Sequence, residues 1–390
     1  MKEPLRIHFL VDSTGETGTY FRFHNLAVGL ARLGQSVSVF ACDHDTNSQT
    51  RTIERDGVLY RIVPSFRGQS FFTASNHPLN ALARCLADYP PCDIAHLFQP
   101  HLSAALAWDW RRTLPARLYF YDWDDLWSDG GLLAKSVPGF RPWWFQTCTR
   151  WGERRFPARA HHVTTCSRFL ADLAAKRGAR AVTVLHNGFW PFDPASKHIA
   201  RQQLGLQPDA LYVGFMGRTW AEIAWCFEAV DQNLDRHPHL RFALCGPPPE
   251  VLQLASTGAR ERTDFLGSLA PERTRLFAAA LDLGLLPLED NLFNRSRFPI
   301  KFAEYMAAGA AVLCSEVGEC AELAGDFPWV FQAGSTRVDW LAAFQQTVDW
   351  IAATSAPPVD RNRCAERFSW QALSSELLTC YRSALSPLPP

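Results

Sequence analysis

Ser296–Ser315 reads SRFPIKFAEYMAAGAAVLCS, and the order of residue types in it decides the fold class. Pro299 suits the first turn of a helix, where the N–H it lacks would have no intrahelical partner. Gly309 suits the position just past a helix end, where a left-handed backbone costs little without a Cβ. Between them Lys301 and Glu304 share a helical face, and Phe302, Met306 and the alanines supply apolar contacts. Ala310–Cys314 is a short, uninterrupted apolar run, which reads as a buried strand. The expectation is a short helix over 300–308 that rises from a polar loop and feeds a parallel strand. The unpaired N–H groups and the dipole at the start of such a helix attract phosphate.

The same alternation continues in both directions. Upstream, Leu281–Leu286, Thr263–Leu266, Leu240–Leu244 and Leu211–Phe215 read as strands, the last three followed by Gly267, Gly246 and Gly217-Arg218. Ala221–Leu234 is helical. Phe189–Pro208 is polar and broken by Pro191 and Pro194, so it reads as a boundary. Before it the pattern restarts. Arg6–Val11 is a strand, Ser13–Thr19 a glycine-bearing turn, and Phe23, Leu26, Ala27 and Leu30 mark a helix that Gly34 ends. Ser36–Cys42, Val58–Pro64, Asp93–Phe98, Leu118–Tyr121, Val163–Ser167 and Val182–Leu185 are further strands. Downstream, Trp340–Ala353 is amphipathic, Pro357 and Pro358 break the chain, and Phe368-Ser369-Trp370 opens a final helix with Ser369 as its N-cap. The expected organisation is an N-terminal domain over 1–190, a linker over 191–208, a second domain over 209–367, and a C-terminal helix and tail over 368–390. Both domains are α/β and doubly wound.

Composition narrows the function classes. The 390 residues exceed one average domain. Lys+Arg equals Asp+Glu at 39 each, which removes the global field expected of a nucleic-acid binder. The 11 cysteines form no C-x-x-C pair, and several lie in strand-like runs, which favours free thiols in a reducing, cytoplasmic compartment. The apolar run of MKEPLRIHFLVDS is too short for a signal peptide, and no stretch approaches the roughly 18 apolar residues of a membrane span.

Two stretches carry unusual chemistry. Asp122-Trp123-Asp124-Asp125 places three carboxylates after a strand; they could position a substrate hydroxyl, take a proton, or cap a following helix. Phe140–Phe156 interleaves Phe140, Trp144, Cys148 and Trp151 on one helical face with Arg141, Arg150, Arg154 and Arg155. Such a face packs against other helices, or touches a lipid-linked substrate or the inner face of a membrane.

A glycine turn after the first strand, Asn187-Gly188 before a linker, Gly217-Arg218, Gly267, PIKFAEYMAAG and finally FSW together resemble the GT-B glycosyltransferases, in particular the large retaining family 4 that uses nucleotide-activated sugars. The resemblance spans nearly the whole chain. It implies two Rossmann-like domains facing a central cleft, with the C-terminal helix returning to the N-terminal domain. It implies an acceptor side in the first domain and a donor side in the second. The reaction implied is transfer of a sugar from a nucleotide sugar to a glycan, lipid-linked or small-molecule acceptor with retention. The base (UDP, GDP or ADP type) stays open. Alternatives are a non-catalytic GT-B subunit that binds sugar or a partner, a nucleotide-sugar epimerase, or a phosphorylase.

On matching positions, Glu304 resembles the second acid of the family's paired glutamates, which holds the nucleotide ribose. Ser296 stands where many members carry the first, as in a subset reading S-x-x-P-x-K. Arg218 resembles the phosphate-binding arginine, and Lys301 in the first turn of the helix adds positive charge. Gly15 and Gly18 match the first-domain loop; Gly217, Gly246, Leu266, Pro299 and Ile300 complete the donor edge. Where the family commonly has a histidine, Asp122 or Asp124 stands, with His96 and His101 as other candidates for catalysis. Asp122 and Asp124 have D-x-D spacing, but arginine and lysine already supply the charge a leaving diphosphate needs, so metal-independent transfer is expected.

Overall fold

The computed structural model describes residues 3–12, 18–42, 49–66, 74–111, 114–132, 140–217, 222–354 and 359–386. The chain divides into a first unit, Met1–Asn187 with Trp370–Pro390, and a second unit, Gly188–Ser369. The first unit runs β1 (Arg6–Leu10), α1 (Thr19–Arg32), β2 (Ser36–Cys42), β3 (Arg51–Arg55), β4 (Val58–Val63), α2 (Pro78–Cys85) and β5 (Cys92–Phe98). It continues with α3 (Leu102–Asp109), β6 (Ala116–Trp123), α4 (Phe140–Arg159), β7 (His162–Thr165), α5 (Arg168–Lys176) and β8 (Val182–Val184). The second unit runs α6 (Lys197–Leu204), β9 (Leu211–Met216), α7 (Ile223–Asn233), β10 (Leu240–Cys245), α8 (Thr257–Glu261), β11 (Thr263–Gly267), α9 (Pro271–Ala280) and β12 (Leu283–Leu286). Then come α10 (Leu292–Ser296), α11 (Ile300–Ala308), β13 (Ala311–Ser315), α12 (Gly318–Ala324), β14 (Val330–Ala333), α13 (Arg337–Ala353) and α14 (Arg361–Phe368). The last helix, α15 (Trp370–Leu385), belongs to the first unit.

Each unit is built on one sheet. The first has the order β3-β4-β2-β1-β5-β6-β7-β8, parallel except for β3, which pairs with β4 across the Asp56-Gly57 turn. The second, β11-β10-β9-β12-β13-β14, is parallel throughout. Parallel strands covered on both faces are apolar without alternation, and β12 and β13 are buried at every position. In both sheets the strand order reverses once, between β1 and β5 and between β9 and β12. Ligands of open α/β sheets bind outside the carboxyl ends of strands at such reversals.

Local choices agree with these sheets. Pro299 is the N-cap of α11, and Gly309 closes it at φ 92°. Tyr305 of α11 packs its ring so close to β12 that a Cβ on Gly284 would stand 2.4 Å from it. Its hydroxyl accepts the N–H of Met216 at 2.9 Å, which ties α11 to the end of β9. In the first unit α15 lies on α1 because Gly29 leaves room for Ser374; a Cβ there would meet Ser374 Oγ at 1.9 Å. Trp370, Leu373, Leu377 and Tyr381 form the buried stripe of α15.

Several readings need correction. Asp122 is not beyond its strand: β6 extends through Trp123, paired with β7 at Asp122↔Thr164. Ser369 stands directly before α15, as expected, but it also closes α14, a helix the sequence reading left out; its N–H donates to Ala365 O at 3.0 Å, and its backbone bridges Phe189. The prolines at 191 and 194 precede α6, whose Lys197 and Arg201 both pair with Asp282. The aromatic face of α4 is displaced by about one residue. Cys148, Thr149, Gly152, Glu153 and Phe156 are buried, whereas Trp151 is exposed. Gly152 sets that rotation, since a Cβ there would stand 2.7 Å from Pro100 O.

Candidate active site

In the second unit, glycines end three neighbouring strands. Gly217 N donates to Cys245 O at 3.0 Å and Gly246 N to Gly267 O at 2.8 Å. Gly246 has φ 101°, and a Cβ on it would stand 2.5 Å from Gly217 O, so no other residue fits without movement. The register of β10 against β11 slips between Leu244 and Cys245, which leaves Leu266 without a partner in β10. Such a slip re-aims the backbone next to a strand end.

Behind this edge, α11 begins without a side-chain cap at Pro299. Its first N–H groups therefore keep their affinity for an anion. Pro299 and Ile300 are half-buried, and Lys301 Nζ pairs with Glu304 Oε2 at 2.7 Å with both side chains about a third accessible. Ser296 differs from these neighbours. It is buried, and its hydroxyl donates to Phe293 O at 3.0 Å. Arg218 lies outside the described residues. Glu222, which the sequence reading passed over, is buried and accepts the N–H of Glu289 at 3.2 Å, so it shapes the loop after β12.

In the first unit the corresponding edge holds charge inside. Arg22 of α1 is buried; its Nε donates to Asp122 Oδ1 at 2.7 Å and its Nη2 to Asp122 Oδ2 at 2.9 Å. Its Nη1 donates to His186 O at 3.2 Å and to Asn187 Oδ1 at 3.0 Å. Thr164 Oγ1 donates to Asp122 Oδ2 at 2.6 Å, so both oxygens of Asp122 are engaged and the residue is fully buried. Asp124 stands 3.9 Å from Arg22 Nε and accepts Asn187 Nδ2 at 3.0 Å. Burial, more than the like charge of Asp122, raises the Asp124 pKa above the ordinary carboxylate value, against the pull of Arg22.

His96 is buried behind the same strand. Thr164 gives its proton to Asp122, so it can only accept from His96 Nε2, 3.3 Å away; His96 Nδ1 then accepts the Tyr381 hydroxyl at 2.6 Å. Burial holds this imidazole neutral, with its pKa lowered to about 3. His101 sits nearer the strand ends, its Nε2 3.9 Å from Asp12 Oδ2, between Trp127 and Phe145. Gln99, just after β5, is buried with φ 66° and accepts Trp127 Nε1 at 3.0 Å. A non-glycine residue in this region stores strain at a site that its surroundings fix. Glu153 of α4 accepts Trp127 N at 2.8 Å and the Ser128 hydroxyl, which holds the loop after Asp124. Gly18 is exposed at φ 57° ahead of α1; Gly15 lies outside the described residues.

Arg22, Thr164 and Glu153 were missed from sequence. Arg22 carried a signal, since it shares a helical face with Leu26 and Gly29, where a charge needs a buried partner. Thr164 and Glu153 carried none, because their partners are remote in the chain.

Residues 17–188 match the family described as Glycosyl transferase 4-like domain, and residues 207–349 match Glycosyl transferases group 1. The chain belongs to the GT-B glycosyltransferases of the family 4 type. Among curated glycosyltransferases, it is 21% identical to the putative teichuronic acid biosynthesis glycosyltransferase TuaH of Bacillus subtilis, over 77% of this chain and 74% of that one. It is 30% identical to the D-inositol 3-phosphate glycosyltransferase of Rhodococcus opacus, over 50% of this chain and 45% of that one. The chain thus matches under half the length of this second glycosyltransferase. Among solved GT-B structures, a sucrose-phosphate synthase from Thermosynechococcus elongatus superposes with a TM-score of 0.73 at 18% identity, covering 97% of this chain and 98% of that one. Anabaena HepE in complex with UDP gives a TM-score of 0.66 at 17% identity, covering 97% and 100%. Among the described residues of this glycosyltransferase, no helix is long and apolar enough to cross a membrane, and no His, Cys, Asp and Glu side chains cluster as metal ligands.

Proposed function

We propose that the chain transfers a hexosyl or related sugar from a nucleotide-sugar donor to a glycan, lipid-linked or small-molecule acceptor, with retention and without a metal. The observation that carries this reading is the second unit's strand-end edge: Gly217, Gly246 and Gly267 beside the uncapped start of α11 and the accessible Lys301–Glu304 pair. Backbone there can approach a diphosphate closely, and the α11 N-terminus and Lys301 oppose its charge. Glu304, one turn further along, accepts the ribose hydroxyls. The leaving diphosphate gathers negative charge in the transition state, and groups fixed before the reaction stabilise it without reorganising. Arg218 adds a second cation to the same leaving group. The UDP complex of HepE, a protein of like fold, supports a nucleotide as the ligand class.

The acceptor belongs to the first unit in this reading. Its α4 carries exposed Trp143 and Trp151, with Arg150 and Arg154 sharing Asp129 and Arg155 and Arg159 sharing Asp109. Four guanidinium groups against two carboxylates leave positive charge around a shallow groove of about 590 Å³. That surface suits a lipid-linked acceptor or peripheral contact with an anionic bilayer.

The test is a thermal-shift screen against UDP, GDP, ADP and their sugars, followed by transfer assays. One nucleotide should raise the melting temperature, and Glu304→Ala and Arg218→Ala should remove the shift. Nucleotide-sugar turnover at wild-type rate by both variants would overturn the reading.

A further inference from the structure

We propose that Arg22 is a positioning residue that divides two neighbouring carboxylates into a fixed anion, Asp122, and a working carboxylate, Asp124, which meets a sugar hydroxyl. The choice of a sugar hydroxyl rests on the glycosyltransferase reading; the division of roles does not.

The hydrogen bonds assign the roles. Arg22 uses all three guanidinium nitrogens, two of them on Asp122 and the third on the His186 carbonyl and the Asn187 side chain. Asp122 accepts from Arg22 through both oxygens and from Thr164 as well, and none of its surface is exposed. A carboxylate held in this way has no oxygen left for a ligand. Asp124 is placed differently. It follows the last residue of β6, its side chain is 10% accessible, and it accepts the Asn187 amide at 3.0 Å with Cys166 alongside.

The charges lead to the same division. One guanidinium serves two carboxylates, and the bidentate pair matches only one of them. Asp124, 3.9 Å from Arg22 Nε, therefore lies next to a like charge in a poorly solvated place. The charged or titratable groups facing it are Arg22 on α1, Asp122 on β6 and Cys166 after β7; the contribution from beyond β8, Asn187, is uncharged. The two side chains therefore differ in how they are held: Asp122 takes the bidentate cation and a threonine hydroxyl, and Asp124 takes the Asn187 amide. As an anion Asp124 accepts a hydroxyl proton in a charge-assisted hydrogen bond; with a proton bound it becomes an O–H donor and a weaker acceptor.

Titration of 13C-carboxyl aspartate by NMR tests this, with the Asp124 signal assigned by its loss in Asp124→Asn. In the wild type, Asp124 should titrate above the ordinary carboxylate range. Asp122→Asn removes the competing anion and leaves Arg22 to Asp124, so the midpoint should fall by about 1 pH unit or more. Asn187→Ala removes a donor to the anion and should raise it. The acid limb of kcat/KM should move the same way in each variant, an opposed pair of shifts that a merely structural role would not produce. If Asp122→Asn fails to fold, Asn187→Ala decides: an upward shift supports the proposal, and an unchanged or lowered midpoint overturns it. Midpoints that shift together in both variants overturn it too. The titration needs no substrate, so a failed screen for sugar transfer would overturn the proposed function and leave this measurement standing.

Discussion

The two strand-end edges solve opposite problems. The first unit's edge buries a guanidinium with a carboxylate and ties them to β7, β5 and α15 through Thr164, His96 and Tyr381. The second unit's edge keeps its charged pair, Lys301 and Glu304, about a third accessible and brings glycine backbone to the surface. Burial makes charges expensive to disturb, and exposure makes them inexpensive to redirect toward a ligand. Stability and ligand affinity should therefore respond differently to substitutions on the two edges.

The largest effect is expected at Arg22. Arg22→Met leaves Asp122 buried without its cation, which should lower unfolding free energy by about 3–5 kcal/mol in urea titration. A wild-type midpoint would break the comparison. Gly246→Ala should come next. It combines positive φ with contact against Gly217 O, at a cost of about 1–3 kcal/mol, and should also weaken nucleotide binding in calorimetry. A pH series then sharpens the first-unit side. The neutral imidazole of His96 takes up its proton near pH 6.5 when unfolded but only at about 3 when folded. The unfolded chain then binds the extra proton, so stability should fall as pH drops through that window. His96→Phe should flatten the fall, and an unchanged slope would place the acid sensitivity elsewhere. The smallest change in stability belongs to Lys301→Ala and Glu304→Ala, roughly 0.2–0.5 kcal/mol each. Nucleotide affinity should nonetheless drop about tenfold or more, since a charge-assisted hydrogen bond is lost. A large stability loss with intact affinity would reverse the assignment of that pair.

Much of the second unit's edge was legible because its signals are local. A proline, a lysine, a glutamate and a glycine lie within one short helix, and their spacing alone sets which face they share. The same holds for Gly217, Gly246 and Gly267, each directly after an apolar run. Ser296 shows the limit. Its place in the motif suggests a ligand contact, and only the structure shows that its hydroxyl also donates to the Phe293 carbonyl three residues back. Trp151 shows another. Its periodicity suited either a packed or a lipid-facing side of α4, and the closeness of Gly152 to Pro100, a contact across 52 positions of sequence, leaves Trp151 exposed while Cys148 of the same face is buried.

By itself, the sequence determined the alternation of apolar runs and amphipathic helices, the turns that separate them, and the α11 motif, because each depends on residues within a few positions of one another. Only the tertiary structure decided that Arg22 meets Asp122 across 100 residues and that His96 meets Tyr381 across 285. Ion pairs and hydrogen bonds of that span depend on how strands are ordered in the sheet, and strand order leaves no periodic trace in the chain.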